Sequence, residues 1–185
     1  MSSLIGLTAR AALCCVFGAA VASKVSNRRR WAAFVGALPA LGIPSGLSGR
    51  MAAAGVIGGE AAALATLVAV PRLGAAISAG LLLVFTVALA AAVRANRRTG
   101  CHCFGSSDAP IGRGHVVRNL GLMVVAAAVF RAEPSRPLEL AWRHVASVGY
   151  GVLIGFVVTR WDDVEFLVGV KRDPPAPAAR SSEAG

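Results

Sequence analysis

Two thiols one residue apart are the most reactive feature of this chain. They lie in Arg97-Arg98-Thr99-Gly100-Cys101-His102-Cys103-Phe104-Gly105. Cysteines at this spacing can close a small, strained ring, and strain makes a disulfide easier to reduce. Such disulfides tend to be labile, catalytic or regulatory rather than structural. Neighbouring cations favour the thiolate, the form that attacks a disulfide; Arg97 and Arg98 can supply that field, with His102 as a further contributor. Gly100 and Gly105 let the backbone bend around the pair. The pattern therefore points first to thiol–disulfide exchange at Cys101 and Cys103. Two other readings stand beside it. Cys101, His102 and Cys103, with His115 nearby, offer soft ligands and imidazoles to a metal, although a closed zinc site wants four ligands and consecutive residues rarely all face one ion. The third reading is a pair of loop cysteines without a chemical role.

Glu60 is the second outlier, because it falls near the centre of a long apolar stretch. A carboxyl at that depth of a bilayer is costly and marks a functional site by default. Its expected partners are Arg10 or Arg118, both inside apolar stretches. A buried ion pair there would fix helix register; alternatively, Glu60 would accept a proton during thiol chemistry. Arg118 could also snorkel to the interface or stabilise a thiolate of the Cys101/Cys103 pair. Asn119 can hydrogen-bond between helices. Cys14 and Cys15 read as small apolar core residues. Adjacent on a helix, they point about 100° apart and do not readily pair. Their other reading is a second redox pair relaying electrons from Cys101 or Cys103, as a quinone-coupled thiol oxidase would need. Lys24 reads as an anchor at the membrane interface.

The elements that must position these groups follow from composition. The chain has 185 residues, 56% hydrophobic and only 15% charged, with mean hydropathy +0.65. Soluble domains carry nearer a quarter charged residues, and a disordered chain needs low hydrophobicity. The four cysteines are too few for a disulfide-stapled scaffold. The net charge of +10 is almost all arginine. In a soluble protein it would suggest nucleic acid. Here it sits between apolar runs, where membrane proteins keep it, so the expected partner is the lipid bilayer and no nucleic acid.

A membrane-spanning helix needs about 20 mostly apolar residues. Five stretches approach that length, at residues 4–23, 51–70, 73–93, 115–130 and 140–161. The third has no charge and no polar face, which argues against buried helices of a soluble domain. The first ends in a signal-like Ala-Val-Ala-Ser, but its apolar run is long and further spans follow, so it reads as an uncleaved helix. In the first connection, Trp31 to Leu38 follows a basic cluster and reads as a short interfacial helix ended by Pro39. Pro44, Gly46 and Gly49 turn the chain back into the membrane. Pro71-Arg72 forces the second and third spans into a hairpin. The first and third connections hold most of the basic residues, which makes their side cytoplasmic. With five spans, the N-terminus is then outside and the C-terminus inside.

The extended pattern carries a resemblance. Cys101-x-Cys103-Phe104-Gly105, then Pro110-Ile111, then Arg118-Asn119 at the start of the next span resembles the methylamine utilisation protein MauE family, grouped with DoxX-like redox-associated membrane proteins. The first span ending in Ala-Ser-Lys24, the segment closed by Pro39, and Glu60 agree with it. The apolar stretches make the chain an all-α, polytopic membrane helical bundle, a four-helix core with a fifth apolar helix. The resemblance covers roughly residues 4–130, so the chain divides into a MauE-like four-helix membrane domain at 1–130, a linker and fifth helix at 131–170, and a tail at 171–185 whose Pro, Ala and Ser content reads as disordered. The resemblance also implies a role in maturing methylamine dehydrogenase, whose small subunit carries several disulfides. The work would be thiol–disulfide exchange with a thioredoxin-like or disulfide-containing exported partner, with a membrane quinone as electron acceptor. In this chain that role falls to Cys101 and Cys103, supported by Glu60, Arg118, Arg98 and His102. The Ala- and Arg-rich composition resembles that of a high-GC bacterium, so the expected location is the bacterial cytoplasmic membrane.

The charge rule and the chemistry disagree. Disulfides of exported proteins form outside the cytoplasm, whereas the Lys/Arg bias puts Cys101 and Cys103 inside. Three resolutions are open: basic residues that serve the thiols instead of marking topology, a cysteine segment that dips into the bundle, or electrons from a cytoplasmic donor. Two rival classes remain. One is an assembly factor or metal-binding scaffold without catalysis; the other is a small transporter using Glu60 as its ion or proton site.

Overall fold

The computed structural model describes residues 2–95, 113–132 and 141–160, and every regular element among them is helical. The order is α1 (Ser2–Val25), α2 (Arg28–Ala37) running into a 3-10 turn (Leu38–Leu41), α3 (Leu47–Ala69), α4 (Pro71–Arg94), α5 (Arg113–Arg131) and α6 (Ala141–Thr159). α1, α3, α4 and α5 are each long and apolar enough to cross a membrane; α6 carries a shorter apolar stretch. The protein is thus a multi-pass membrane bundle of four spanning helices with a fifth apolar helix. The short helix expected after Trp31 is present and begins slightly earlier, at Arg28. Asn27 sets that start, because its side-chain oxygen accepts from the Arg29 amide at 2.9 Å and so caps α2.

The helix directions follow from a few contacts. Arg10 Nη2 donates to the Val68 carbonyl at 2.5 Å, and Lys24 reaches Glu60, so α1 and α3 are antiparallel. α3 and α4 form the hairpin expected from Pro71, which occupies the first turn of α4, where its missing N–H costs nothing. Gly6 lies against Ala132 just past the end of α5, so α5 runs opposite to α1. α2, the last turn of α1 and the first turn of α5 therefore share one end of the bundle, here called the cap end. The chain leaves α4 and enters α5 at that end. The α3–α4 turn and the last turn of α5 lie at the other, the hairpin end.

The core lies where all four spanning helices meet, at Leu13, Phe17, Leu67, Leu82, Leu122 and Val129. Much of the outward surface is also apolar, including Val68, Val84, Val87, Val124 and Phe156. A soluble protein would not tolerate so large an apolar exterior; in a bilayer it faces lipid. Two threonine hydroxyls within the spans are satisfied by their own helices, as a bilayer demands. Thr66 Oγ1 donates to the Ala62 carbonyl at 2.6 Å, and Thr86 Oγ1 to the Leu82 carbonyl at 2.6 Å.

Two close approaches depend on glycine. A Cβ on Gly74 would meet the Leu67 backbone nitrogen and would lie 2.5 Å from Leu67 Cα. Backbone cannot give way as a side-chain tip can, so Gly74→Leu should destabilise the hairpin by about 1–3 kcal/mol. Gly80→Leu, on the same helix with nothing within 4 Å of its Cβ position, should be neutral. Thermal unfolding of both variants in detergent checks this difference. α6 runs parallel to α1 and packs on it through Gly151 and Gly155. A Cβ on Gly151 would strike the Thr8 carbonyl, and one on Gly155 would sit 2.7 Å from Cys15 Cβ. This is the spacing with which small residues bring membrane helices together.

Candidate functional site

At the cap end, the last turn of α1 carries Lys24. Side chains on a helix lean toward its N-terminus, so this lysine points back into the bundle. Its ammonium donates to both carboxylate oxygens of Glu60, at 2.6 and 2.8 Å. Lys24 is 2% exposed and Glu60 is fully buried. Two corrections to the sequence reading follow. Lys24 is an inward ion-pairing residue and not an interface anchor, and the partner of Glu60 is Lys24 in place of Arg10 or Arg118. Arg10 is engaged with the Val68 carbonyl at the end of α3, where a cation complements the negative end of the helix dipole.

α2 covers this pair. Its Phe34 ring centroid lies 5.1 Å from Lys24 Nζ, within reach of a cation–π contact. Phe34 is buried with Leu38 and Ala53, with Trp31, Val35 and Val56 packed around them. The basic run Arg28, Arg29 and Arg30 stays on the exposed side. α2 is therefore amphipathic, with its apolar face over α3 and its charges outward. Behind it, Gly42 and Gly46 adopt φ of 87° and 91°, left-handed conformations that glycine takes readily. They carry the chain back into α3.

The first turns of α5 carry a second polar group. His115, Arg118 and Asn119 are all buried there and recur at helical spacing, so they share one face. Asn119 is fully buried, and neither atom of its amide has a hydrogen-bond partner among the described residues. Sequence reasoning had marked Arg118 and Asn119 but had not paired them with His115 as one inward face.

Cys101, Cys103, Arg98 and His102 lie outside the described residues. Cys14 and Cys15 are free thiols and face different surroundings. Cys14 packs against the four-helix core, while Cys15 lies under Gly155 of α6. Phe34 was the residue that sequence reasoning missed as part of the ion-pair site. Its signal was available as the apolar position of a short helix with a basic opposite face.

Comparison with curated proteins yields no match, and neither does comparison with solved structures. The family model described as methylamine utilisation protein MauE matches residues 2–132. That span takes in α1 to α5, with both the Lys24–Glu60 pair and the polar face of α5, and stops short of α6. This multi-pass membrane protein belongs to the MauE family.

Proposed function

We propose that this protein is a thiol–disulfide redox protein of the bacterial cytoplasmic membrane that supports disulfide formation in an exported partner, as in methylamine dehydrogenase maturation. The observation that carries this reading is the Cys101-His102-Cys103 sequence, preceded by Arg97 and Arg98, in a chain of this family. The structure adds support from its topology. α4 ends and α5 begins at the cap end, where the buried His115, Arg118 and Asn119 face inward. Arg98 and His102 would favour the thiolate form, and Arg118 would add a further positive charge.

The exchange balances as follows. A thiolate of the partner attacks one sulfur of the Cys101–Cys103 disulfide; the other sulfur leaves as a thiolate and is protonated. The partner's second thiol gives up its proton, and its sulfur displaces the first from the mixed disulfide. The partner departs oxidised, and this chain holds two thiols. The electron pair and two protons then pass to a membrane quinone, which closes the cycle. A thioredoxin-like protein is the natural carrier between this chain and the final substrate.

Cys101→Ser and Cys103→Ser should each abolish oxidation of the partner while membrane abundance stays unchanged. Alkylation of free thiols in the partner, followed by mass spectrometry, reads the result. Normal partner disulfides in both variants would remove the redox role and leave a scaffold that holds its partner without chemistry.

A further inference from the structure

A groove of about 370 Å³ opens between α1, α5 and α6 in the half of the bundle nearer the hairpin end. Its walls include Ile5, Thr8 and Ala12 from α1, Val124 and Ala128 from α5, and Ile154 from α6. Ile5 to Ala12 spans about 10 Å of helix, and apart from the Thr8 hydroxyl the walls are hydrocarbon. Such a groove in a spanning helix bundle faces acyl chains.

The stripe of α5 that forms one wall continues past the groove. Val124, Ala128 and Arg131 follow one another at intervals of four and three residues, so they share a face. Arg131 is exposed in the last turn of α5, at the level where the helix leaves the membrane. Among the described residues, the hairpin end carries exposed Arg72 and Arg131, with Arg10 turned to the Val68 carbonyl and Arg143 and His144 in the first turn of α6, and no acidic side chain. An apolar slot topped by a cation matches one kind of molecule in its surroundings, with a hydrocarbon chain below and a negative charge at headgroup level. We propose that the α1–α5–α6 groove holds an acyl chain of an anionic phospholipid whose phosphate lies against Arg131. α6 completes the slot by supplying Ile154, so the site requires a helix beyond the stretch matched by the family.

Native mass spectrometry of the full chain in detergent tests this, with phosphatidylglycerol and phosphatidylcholine of identical acyl chains offered in turn. The chain should retain phosphatidylglycerol about fivefold better, the preference expected from one cation at an anionic headgroup. Arg131→Gln should erase the preference and Arg131→Lys should keep it. Ala128→Phe fills the slot and should lose retention of both lipids. Ile154→Trp does the same from the opposite wall and serves if the first variant fails to fold. Equal retention of the two lipids by the native chain would overturn the proposal. So would a preference that survives Arg131→Gln, retention unchanged in a folded slot-filled variant, or a prenylquinone found in the slot in place of phospholipid.

Discussion

Lys24→Met should remove about 3–5 kcal/mol of stability, because it leaves the Glu60 carboxylate buried without its countercharge. That is a large share of the stability of a small domain. Glu60→Leu should cost a comparable amount by stranding the ammonium. The double variant Lys24→Met/Glu60→Leu should recover most of the loss, since a buried ion pair replaced by apolar side chains is often neutral. Thermal unfolding in detergent measures all three. Equal losses in the double variant and in the sum of the singles would mean that the pair is not coupled, against its 2.6 Å geometry. The folded double variant also separates two roles for Glu60. If partner oxidation persists in it, the pair is a register device that holds α1, α3 and α2 together. If oxidation fails while the fold stands, Glu60 is the proton acceptor of the thiol chemistry.

The same pair marks where the sequence stops being legible. The spanning helices could be read from uninterrupted apolar length, because in a bilayer that length is nearly the whole requirement. The hairpin could be read because Pro71 fits the first turn of a helix and leaves no room for a loop. The interfacial helix showed itself through Trp31 beside a basic run. Pairing within the bundle is different in kind, because it depends on which helix faces which. Arg10 and Arg118 were the candidate partners of Glu60 because both lie inside apolar stretches, while Lys24 read as an interface anchor. Lys24 wins because its side chain leans back along α1 and α2 folds over it, with Phe34 shielding the ammonium. The docking of α6 was equally hidden. Its apolar length was plain, but the close fit of Gly151 and Gly155 to α1 appears only once the two backbones are in place. Of the expected site, Glu60 and Arg118 have positions in the bundle, while Cys101, Cys103, Arg98 and His102 fall outside the described residues.

Membrane-impermeant maleimide should label Cys101 and Cys103 in intact cells only after mild reduction. The cap end carries exposed Arg28, Arg29, Arg30, Arg50 and Arg94, with Arg160 just past α6, whereas the hairpin end carries Arg72 and Arg131, with Arg10 on the Val68 carbonyl and Arg143 in the first turn of α6. By the usual bias the cap end would be cytoplasmic. The ion pair already weakens that count, because Lys24 is neutralised inside the bundle. Arg97 and Arg98 adjoin the thiols and have a chemical reason to be there. Oxidation of an exported protein requires its oxidant on the outer side, so the proposed function requires the cap end to face outward against the remaining arginines. Variants retaining only one of the four cysteines assign each label. Cys14 and Cys15 give the internal control, since one packs in the core and the other under α6, and neither should react from outside. Labelling that appears only after the membrane is permeabilised would restore the charge-based orientation. The thiols would then act on the cytoplasmic side, and maturation of an exported partner by direct exchange would be ruled out.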